Sequence, residues 1–300
     1  MNDNIFGMRQ EESILFIINP ISGNGKKEKI ASEIKQHFPQ GEYDAKVLVT
    51  KFPGDATEIA SQYLNKGYTK FVVVGGDGTV NETAKALVHS DAKLGIVPVG
   101  SGNGLARHLN IPLKISRSLE VVKKGKSRII DYGRLNDQFF FCTAGVGFDA
   151  HIGDVFMKSG QRGFSTYFLS TLAEFRRYKP QKYRLKTPGG EVEKEAFLIT
   201  FANASQYGNN AFIAPNASVE DGKMNVVVMK PFPIAKAISI GPRLFMKTIL
   251  QSSYVETYTC SSIVVQRPHN DVVHCDGESF EMGTQLDAEI ISEGLEVLVP

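Results

Sequence analysis

The chain of 300 residues has few cysteines and no long hydrophobic run. Cys142, Cys260 and Cys275 are far apart, odd in number and form no C-x-x-C pair, which argues against a disulfide framework or a zinc site and fits a reducing compartment. The longest apolar runs, such as residues 14–18, have the length of a strand and fall well short of the ~18 residues of a membrane span. Residues 1–13 are polar and show no signal-peptide pattern. We therefore expect a cytoplasmic protein.

An excess of charge of one sign is also missing. The 34 basic residues nearly balance the 32 acidic ones, which leaves a net charge of +2. No nucleic-acid partner is therefore indicated. The six histidines form no H-E-x-x-H zinc motif. With 42% hydrophobic residues, the composition is that of a globular protein long enough for two domains.

The first part of the chain alternates between strand and helix patterns. Strand-like runs occupy residues 14–18, 45–50, 71–74 and 94–100, and a helical pattern follows each of them. Such alternation predicts an α/β domain with a parallel sheet covered on both faces. Beyond residue 126 most runs are strand-like and separated by turns, with helical patterns only around 163–177 and 234–251. We predict an α/β domain at 1–129 and a mainly antiparallel β domain at 130–300.

The stretch FVVVGGDGTVNETAKAL, residues 71–87, indicates where the chemistry lies. A buried strand runs into three glycines and then into a helix that Thr79 or Asn81 could cap. The glycines remove side chains where something must come close to the backbone, and the N–H groups of a helix N-terminus attract phosphate. The stretch matches neither the P-loop nor the dinucleotide fingerprint, and an ordinary tight turn remains the alternative.

The other predicted strands also end in small polar residues. The first ends in the run from Asn19 to Lys26, the second at Thr50, and the fourth in residues 98–104. The carboxyl ends of parallel strands meet at one edge of a sheet, where ligands bind. The sequence therefore predicts a rim of N–H groups and hydroxyls suited to a chain of phosphates.

Taken in order, these motifs resemble a known family. NPISG, GGDGTVNE and PVGSGNGLAR are followed by AGVGFDA (144–150), VEDGKMNVVV (219–228) and DGE (276–278). The set resembles the diacylglycerol kinase catalytic-domain superfamily, which includes bacterial diacylglycerol kinases and eukaryotic sphingosine and ceramide kinases. The resemblance implies a Rossmann-like nucleotide domain similar to NAD kinase and phosphofructokinase, and a β-sandwich domain. ATP and a lipid would meet in the cleft between them.

The resemblance also implies which residues bind the nucleotide. They are Asn19, Pro20, Ile21, Ser22, Gly23, Thr50, Gly75, Gly76, Asp77, Gly78, Thr79, Val80, Asn81, Glu82, Ser101 and, in KSGQRGF, Arg162. Asp77 is assigned to the Mg²⁺–phosphate network, with capping of the turn as a compatible alternative.

Phosphoryl transfer needs positioning, neutralisation of phosphate charge and an acceptor for the hydroxyl proton. Lys26 or Lys27, together with Mg²⁺, would neutralise charge. Asp276 and Glu278 are two residues apart, so in a strand they would point to the same side. By resemblance Glu278 is the proton acceptor, and the alternative is an ordinary Asp-Gly turn.

Further residues follow from the resemblance. In bacterial relatives the segment that matches residues 218–223 holds a structural Mg²⁺, which here would use Asp221 and the carbonyls of Ser218 and Lys223. The alternative is a plain hairpin turn. GVGFDA fits the dinucleotide fingerprint, but we expect a loop lining the lipid side, with Asp149 contacting the substrate head group. Gly104 stands where many bacterial diacylglycerol kinases have aspartate, which leaves the identity of the lipid open.

Two segments could contact a membrane. Six basic residues fall within residues 176–186 without an acid, and they are Arg176, Arg177, Lys179, Lys182, Arg184 and Lys186. They form either a solvated surface or a patch that attracts anionic headgroups. The apolar side chains of residues 241–251 could lie against lipid or pack on the protein's own core.

The sequence thus predicts an ATP- and Mg²⁺-dependent kinase for a lipid hydroxyl, such as that of diacylglycerol, a sphingoid base or a related glycerolipid. It would act at the cytoplasmic membrane surface as a peripheral protein, and homodimerisation is left open. The alternatives are a soluble-substrate kinase of the NAD kinase type and a catalytically silent regulator that binds lipid or nucleotide.

Overall fold

The computed structural model describes residues 12–22, 27–159, 174–187 and 189–300. The first part of the chain alternates strands and helices as predicted. Its elements are β1 (Glu12–Ile18), α1 (Lys27–His37), β2 (Tyr43–Val49), α2 (Asp55–Leu64), β3 (Lys70–Gly75), α3 (Asp77–Leu87), β4 (Lys93–Pro98), α4 (Gly104–His108) and α5 (Ile115–Lys124).

The four strands of this part form a parallel sheet in the order β2-β1-β3-β4. Alternate side chains of β1 point to opposite faces, so Leu15 and Ile17 join the core under α2 and α3, whereas Phe16 joins the core under α1 and α5. Both faces of the sheet are covered by helices. This explains why β1 and β3 are continuous apolar runs rather than alternating ones.

The second part of the chain is mostly antiparallel. Its elements are β5 (Lys126–Leu135), β6 (Gln138–Phe140), β7 (Thr143–Gly147), α6 (Phe148–Ser159), β8 (Gln181–Thr187), β9 (Gly190–Ala196), β10 (Leu198–Ala202), β11 (Met224–Met229), α7 (Ile234–Phe245), β12 (Val255–Cys260), β13 (Ser262–Gln266), β14 (Asp271–Cys275), β15 (Glu278–Met282) and β16 (Gln285–Val299). Strands β12-β11-β10-β7-β14-β15 form one sheet. It packs against β5, β8, β13 and β16 around a shared apolar core that includes Val146, Phe201 and Val265. The predicted α/β part and antiparallel sandwich are both confirmed.

Strand β16 connects the two parts. It pairs antiparallel with β5 and β13, and near its end it pairs parallel with β4 through Glu296 and Val297. A ten-stranded sheet therefore runs through both parts of the molecule. The last residues of the chain help to fill the core of the α/β part, since Leu295 and Val299 lie in the cluster under α2 and α3. A division of the chain near residue 130 stays a prediction.

One local prediction needs correction. The expected loop at GVGFDA is wrong, because Gly145–Gly147 end strand β7 and α6 begins at Phe148. Strand β7 pairs antiparallel with β10 and β14, so GVGFDA does not form the parallel unit of a dinucleotide-binding fold.

Among the residues that the structure describes, none of the helices combines the length and the hydropathy of a membrane-spanning segment.

Candidate active site

The four strand ends of the parallel sheet lie side by side, as the sequence predicts. Backbone N–H groups just beyond three strands donate to carbonyls of a neighbouring strand, from Thr50 to Ile18 (2.9 Å), from Asn19 to Val74 (3.0 Å) and from Val99 to Gly75 (3.0 Å). The glycine-rich motifs that follow β1, β3 and β4 are therefore adjacent along one rim.

The glycines of the GGDGT turn allow two backbones to approach each other. A Cβ on Gly100 would lie 2.4 Å from the Cα of Gly76, so neither residue can carry a side chain without moving the other loop. A Cβ on Gly75 would lie 2.8 Å from Cβ of Thr79. The sequence correctly indicated a close approach to this turn. At Gly76 the approaching group is the backbone of the neighbouring GSGNG loop.

Helix α3 begins inside the turn, at Asp77, with Gly76 as its N-cap. The expectation that Thr79 or Asn81 caps the helix is wrong, because both lie within its first turns. The Thr79 hydroxyl instead accepts a hydrogen bond from Nδ2 of Asn19 (2.9 Å), and Oδ1 of Asn19 accepts the N–H of Ile21 (2.9 Å). These bonds connect the NPISG loop to the first turn of α3.

Asp77 bridges the GGDGT turn and the GSGNG loop. Its carboxylate accepts the N–H groups of Asn103 (2.8 Å) and Gly104 (2.6 Å) at the start of α4. Burial and, to a smaller extent, the nearby Asp276 carboxylate raise the pKa of Asp77 to about 6, although these two N–H donors act to lower it. The residue therefore caps a helix 27 positions further along the chain, in addition to whatever it does for a ligand.

The last two residues of GGDGTVNE also contact neighbouring elements. Glu82 accepts the N–H groups of Gly54 (2.8 Å) and Ala56 (3.2 Å) and so caps α2. The Asn81 amide donates to Oδ2 of Asp276 (2.9 Å) in the sandwich. The structure thus gives both predicted nucleotide residues a role in joining elements around the rim.

The DGE motif forms a two-residue hairpin turn between β14 and β15. Asp276 and Gly277 have φ values of 50° and 87°, the left-handed conformation that such hairpins require. The prediction of a shared side assumed a continuous strand, whereas Asp276 lies in the turn and Glu278 begins β15.

Asp276 points inward and accepts four hydrogen bonds. Besides Asn81, the donors are the backbone N–H groups of Phe141 (2.7 Å), Cys142 (2.8 Å) and Thr143 (3.0 Å). Burial raises the pKa of the Asp276 carboxyl, and these donors oppose that effect. Sequence reasoning assigned Asp276 no role of its own. The Asp-Gly pair indicates the turn, but it does not indicate the hydrogen-bond donors of Asp276.

Glu278, like Asp276, faces helix α3, where it lies against the GGDGT turn. A Cβ on Gly78 would lie 2.8 Å from Oε1 of Glu278, so the carboxylate rests against the first turn of α3. Burial raises the pKa of Glu278, as do the carboxylates of Glu82 and Asp276, whereas Lys85 lowers it. A carboxylate with a raised pKa beside a helix N-terminus is the arrangement expected of a general base in phosphoryl transfer.

The remaining predicted nucleotide residues differ in how far they are exposed to solvent. Thr50 is buried, Val80 packs in the core under α2 and α3, and Ser101 and Ile21 are exposed. Pro20 and Ser22 are half-buried. Gly23, Lys26 and Arg162 lie outside the described residues, as does the side chain of Lys27.

Asp149 lies in a buried polar cluster of the sandwich. Its Oδ2 accepts the hydroxyls of Thr200 (2.9 Å) and Tyr207 (3.1 Å) and lies 3.3 Å from Nε2 of His274. A Cβ on Gly145 would lie 2.6 Å from the same oxygen, so only glycine fits there. The predicted substrate residue therefore has three polar partners that sequence reasoning missed.

The predicted structural metal site lies before β11. Asp221 and Lys223 are exposed, and Oδ1 of Asp221 accepts the N–H of Lys223 (3.1 Å). Within the described ranges, no three His, Cys, Asp or Glu side chains are grouped closely enough to hold a metal ion. A site made of one carboxylate and the carbonyls of Ser218 and Lys223 has a different donor set and stays a prediction.

Comparison with known proteins assigns this arrangement to a family. Residues 13–135 match the model of the diacylglycerol kinase catalytic domain, and residues 142–299 match that of the YegS C-terminal NAD kinase beta sandwich-like domain. The chain belongs to the lipid kinase family defined by these domains.

Relatives of this lipid kinase match it along most of its length. A diacylglycerol kinase of Mycobacterium tuberculosis is 29% identical over 292 residues, which are 95% of this chain and 94% of that protein. A protein of Pseudomonas aeruginosa named "probable lipid kinase YegS-like" is 30% identical over 258 residues, 85% of this chain and 84% of that one.

Solved structures share the fold of the kinase. A diacylglycerol kinase of Bacillus anthracis has a TM-score of 0.76 at 25% identity, with 96% of this chain and 97% of that chain covered. An NAD kinase of Archaeoglobus fulgidus in complex with ATP has a TM-score of 0.53 at 14% identity, with 95% and 93% covered. The second likeness is one of fold alone.

The start of α4 is closely packed at Gly104. A Cβ on Gly104 would lie 3.2 Å from Sγ of Cys142 and 3.6 Å from Oδ1 of Asp77. A carboxylate at this position would therefore crowd a thiol and repel another carboxylate. The neighbouring Arg107 instead supports the loop, since its Nε donates to the carbonyl of Gly102 (3.0 Å).

Proposed function

We propose that this kinase transfers the γ-phosphoryl group of ATP to a hydroxyl of a membrane lipid, with Glu278 as the proton acceptor. The observation that carries the proposal is the contact between Glu278 of the sandwich and Gly78 of the GGDGT turn. It brings a candidate base to the helix N-terminus best suited to bind phosphate.

The nucleotide side of the proposal rests on the rim. The first turn of α3 presents N–H groups at the carboxyl end of the parallel sheet, and the NPISG and GSGNG loops flank it on either side. Bare backbone and short hydroxyls allow polyphosphate to approach closely, while Asp77, Asn19 and Thr79 hold the three loops in register. Preorganisation of this kind is the main source of rate enhancement in phosphoryl transfer.

The residues of this rim fit an Mg²⁺ ion that binds together with the nucleotide. The carboxylates of Asp77, Glu82 and Asp276 already accept N–H groups, so the described residues do not form a cage of protein ligands. Mg²⁺ commonly keeps several waters and binds through one or two carboxylates together with substrate phosphates. Asp77 would hold it through water, and the ion would neutralise charge on the β- and γ-phosphates.

The chemical step that we propose is an in-line displacement. The lipid hydroxyl oxygen forms a bond to the γ-phosphorus, the bond from that phosphorus to the bridging oxygen breaks, and ADP leaves. The hydroxyl proton passes to the carboxylate of Glu278, whose raised pKa makes it a stronger base than an ordinary carboxylate.

The lipid side of the proposal centres on Asp149. Its carboxylate accepts the hydroxyls of Thr200 and Tyr207, and Tyr207 packs against an apolar cluster that includes Phe148, Phe197 and Ile213. A polar group at the edge of an apolar cluster suits a substrate with a hydroxyl-bearing head and acyl chains. Diacylglycerol is the first substrate to test because relatives that match along the whole chain are named diacylglycerol kinases.

The test is a transfer assay with γ-labelled ATP, Mg²⁺ and a panel containing diacylglycerol, a sphingoid base and a monoacylglycerol in mixed micelles. We expect labelled lipid from wild type and none above background from Glu278→Gln or without Mg²⁺. NAD serves as the control substrate. Phosphorylation of NAD and of no lipid would instead establish the NAD kinase type of reaction, and no transfer to any acceptor would favour a silent regulator.

A further inference from the structure

Helix α7 has apolar side chains on two sides, only one of which packs on the protein. Ile240 is 5% exposed and, with the partly buried Leu244, joins the apolar cluster around Phe148. On the other side Ile234 is 39% exposed, Ile238 is 83% exposed and Met246, just after the helix, is 61% exposed. The spacing of these three places them on one side of the helix. We call Ile234, Ile238 and Met246 the outer apolar face.

The chain segment that carries this face has charge of one sign. Residues 222–255 contain no aspartate or glutamate. The basic residues of α7 and of the turn after it are Lys236, Arg243 and Lys247, of which Lys236 and Lys247 are exposed. Lys247 also lies over the ring of Phe212, 4.4 Å from its centroid. An exposed apolar face on a segment with exposed lysines and no acid is complementary to a surface that is apolar beneath and anionic above, as an anionic bilayer is.

The basic stretch 176–186 lacks this character. Lys182 lies 3.8 Å from Glu193 and Arg184 lies 3.0 Å from Glu191, both acids being on the neighbouring strand β9. Arg177 pairs with Glu174 at 3.0 Å. Acidic neighbours therefore offset much of the positive charge that the sequence displays here. The structure favours the interpretation of this stretch as an ordinary solvated surface.

A single loop, residues 203–214, connects α7 with the proposed lipid site. At one end the N–H of Phe212 donates to the carbonyl of Leu244 (2.9 Å). At the other end the Tyr207 hydroxyl donates to Asp149 (3.1 Å), and in between Asn210 accepts from Arg107 of α4 (3.1 Å). Helix α7 therefore packs on the same loop that supplies Tyr207 to the polar group proposed to meet the lipid head.

We infer that the outer apolar face of α7 is the surface by which this kinase docks on an anionic lipid bilayer. Ile234, Ile238 and Met246 enter the boundary between headgroups and acyl chains, and Lys236 and Lys247 contact anionic headgroups. The inference builds on the proposed lipid substrate, yet vesicle binding can be measured without turnover.

The test measures co-sedimentation of the purified protein with vesicles of phosphatidylcholine alone or with phosphatidylglycerol added. We expect binding that rises with phosphatidylglycerol and falls with salt. Ile238→Ser should weaken binding to the anionic vesicles by about tenfold, the factor that loss of about 1.4 kcal/mol of apolar burial produces. The matched control is Ile129→Ser, which removes another exposed isoleucine (54% exposed) from β5 and should leave binding unchanged.

A second pair of variants tests the contribution of positive charge to vesicle binding. Lys236→Gln should weaken binding to anionic vesicles and leave the weak binding to phosphatidylcholine unchanged. Lys35→Gln, which removes an exposed lysine from α1, should affect neither. Turnover of a short-chain, water-soluble diacylglycerol should be the same in all four variants, because the cleft is untouched.

The remaining outcomes distinguish other occupants of the face. Unchanged vesicle binding in Ile238→Ser and in a second variant, Met246→Ser, would overturn the inference. If these variants instead convert a dimer to a monomer in light scattering and vesicle binding persists, the face is an interface between two copies of this chain. Should wild type bind vesicles through α7 but phosphorylate no lipid, the docking surface would stand and the proposed reaction would fall.

Discussion

Replacement of Asp276 by asparagine is the most informative single change at the junction of the two parts. Its carboxylate accepts Asn81 and Phe141 on one oxygen, and Cys142 and Thr143 on the other. Asparagine has nearly the same shape but only one oxygen. In either orientation its NH₂ group faces two N–H donors that have lost their acceptor.

The expected loss of stability follows from these two N–H donors without an acceptor. A buried donor left without a partner costs about 1–3 kcal/mol, so two of them cost roughly 2–6 kcal/mol. The wild-type carboxylate is itself costly to bury, as its raised pKa indicates, and a neutral amide relieves part of that cost. We therefore expect Asp276→Asn to lower the free energy of unfolding by about 2–4 kcal/mol. Asn81→Ala removes one donor and leaves the carboxylate three, so it should cost about 1 kcal/mol.

The assay is urea unfolding followed by far-UV circular dichroism, alongside turnover at saturating ATP and lipid. Asp91→Asn, which changes an exposed acid in a turn, is the control and should stay within about 0.5 kcal/mol of wild type. Asp276 precedes Glu278 by two residues, so the loosened turn should also lower kcat by about tenfold or more. Wild-type stability in Asp276→Asn would refute the hydrogen-bond account. Lost stability with normal kcat would show that the turn does not position Glu278.

Three further predictions concern Glu278 and its neighbours. Glu278→Gln should retain ATP binding, measured by calorimetry, and lose turnover by about 10²-fold or more, the scale of a missing general base; an equal loss of ATP affinity would place the residue in the nucleotide site instead. Gly78→Ala should lower kcat with little change in melting temperature, because the new Cβ would lie 2.8 Å from the Glu278 carboxylate and would displace that flexible side chain; normal turnover would argue against the observed contact. Lys85→Met should move the acidic limb of the pH profile of kcat/KM to higher pH. Lys85 lowers the pKa of Glu278, and the base acts only when deprotonated; an unmoved limb would mean that another group titrates there.

The raised pKa of Asp77 bears on the same pH profile. At about pH 6 half of the Asp77 carboxyl groups are protonated, and the protonated form is a poorer acceptor for the N–H groups of Asn103 and Gly104. Since both Asp77 and Glu278 are needed ionised, the acidic limb should reflect two groups rather than one.

The architecture could be read from the sequence because it depends on local patterns. Apolar runs such as Phe71–Val74 are long enough for buried strands and too short for buried helices, and the helical periods between them require crossovers. Parallel strands joined in this way must bring their carboxyl ends to one edge. The convergence of Asn19, Thr50 and Gly76 therefore followed from the order of elements alone.

The partners of the polar side chains were decided by tertiary structure. Asn81 and Asp276 are 195 residues apart, and nothing in either local sequence indicates that one donates to the other. Glu82 likewise appeared to be part of a nucleotide motif, yet its carboxylate caps α2, because packing of α3 on α2 leaves the first N–H groups of α2 within its reach. Long-range hydrogen bonds of this kind depend on the relative positions of elements, which local propensity does not specify.

The charge and the exposure of surface segments also depend partly on the sequence and partly on the tertiary structure. The sequence by itself determined that residues 176–186 are basic and that α7 is apolar. Only the fold placed Glu191 and Glu193 beside Lys182 and Arg184, and left Ile238 of α7 facing outward. The physical reason is that a side chain's environment comes from the other elements that pair with or pack on its own: pairing of β8 with β9 brings acids to one surface, and packing buries just one side of a helix that is apolar on two.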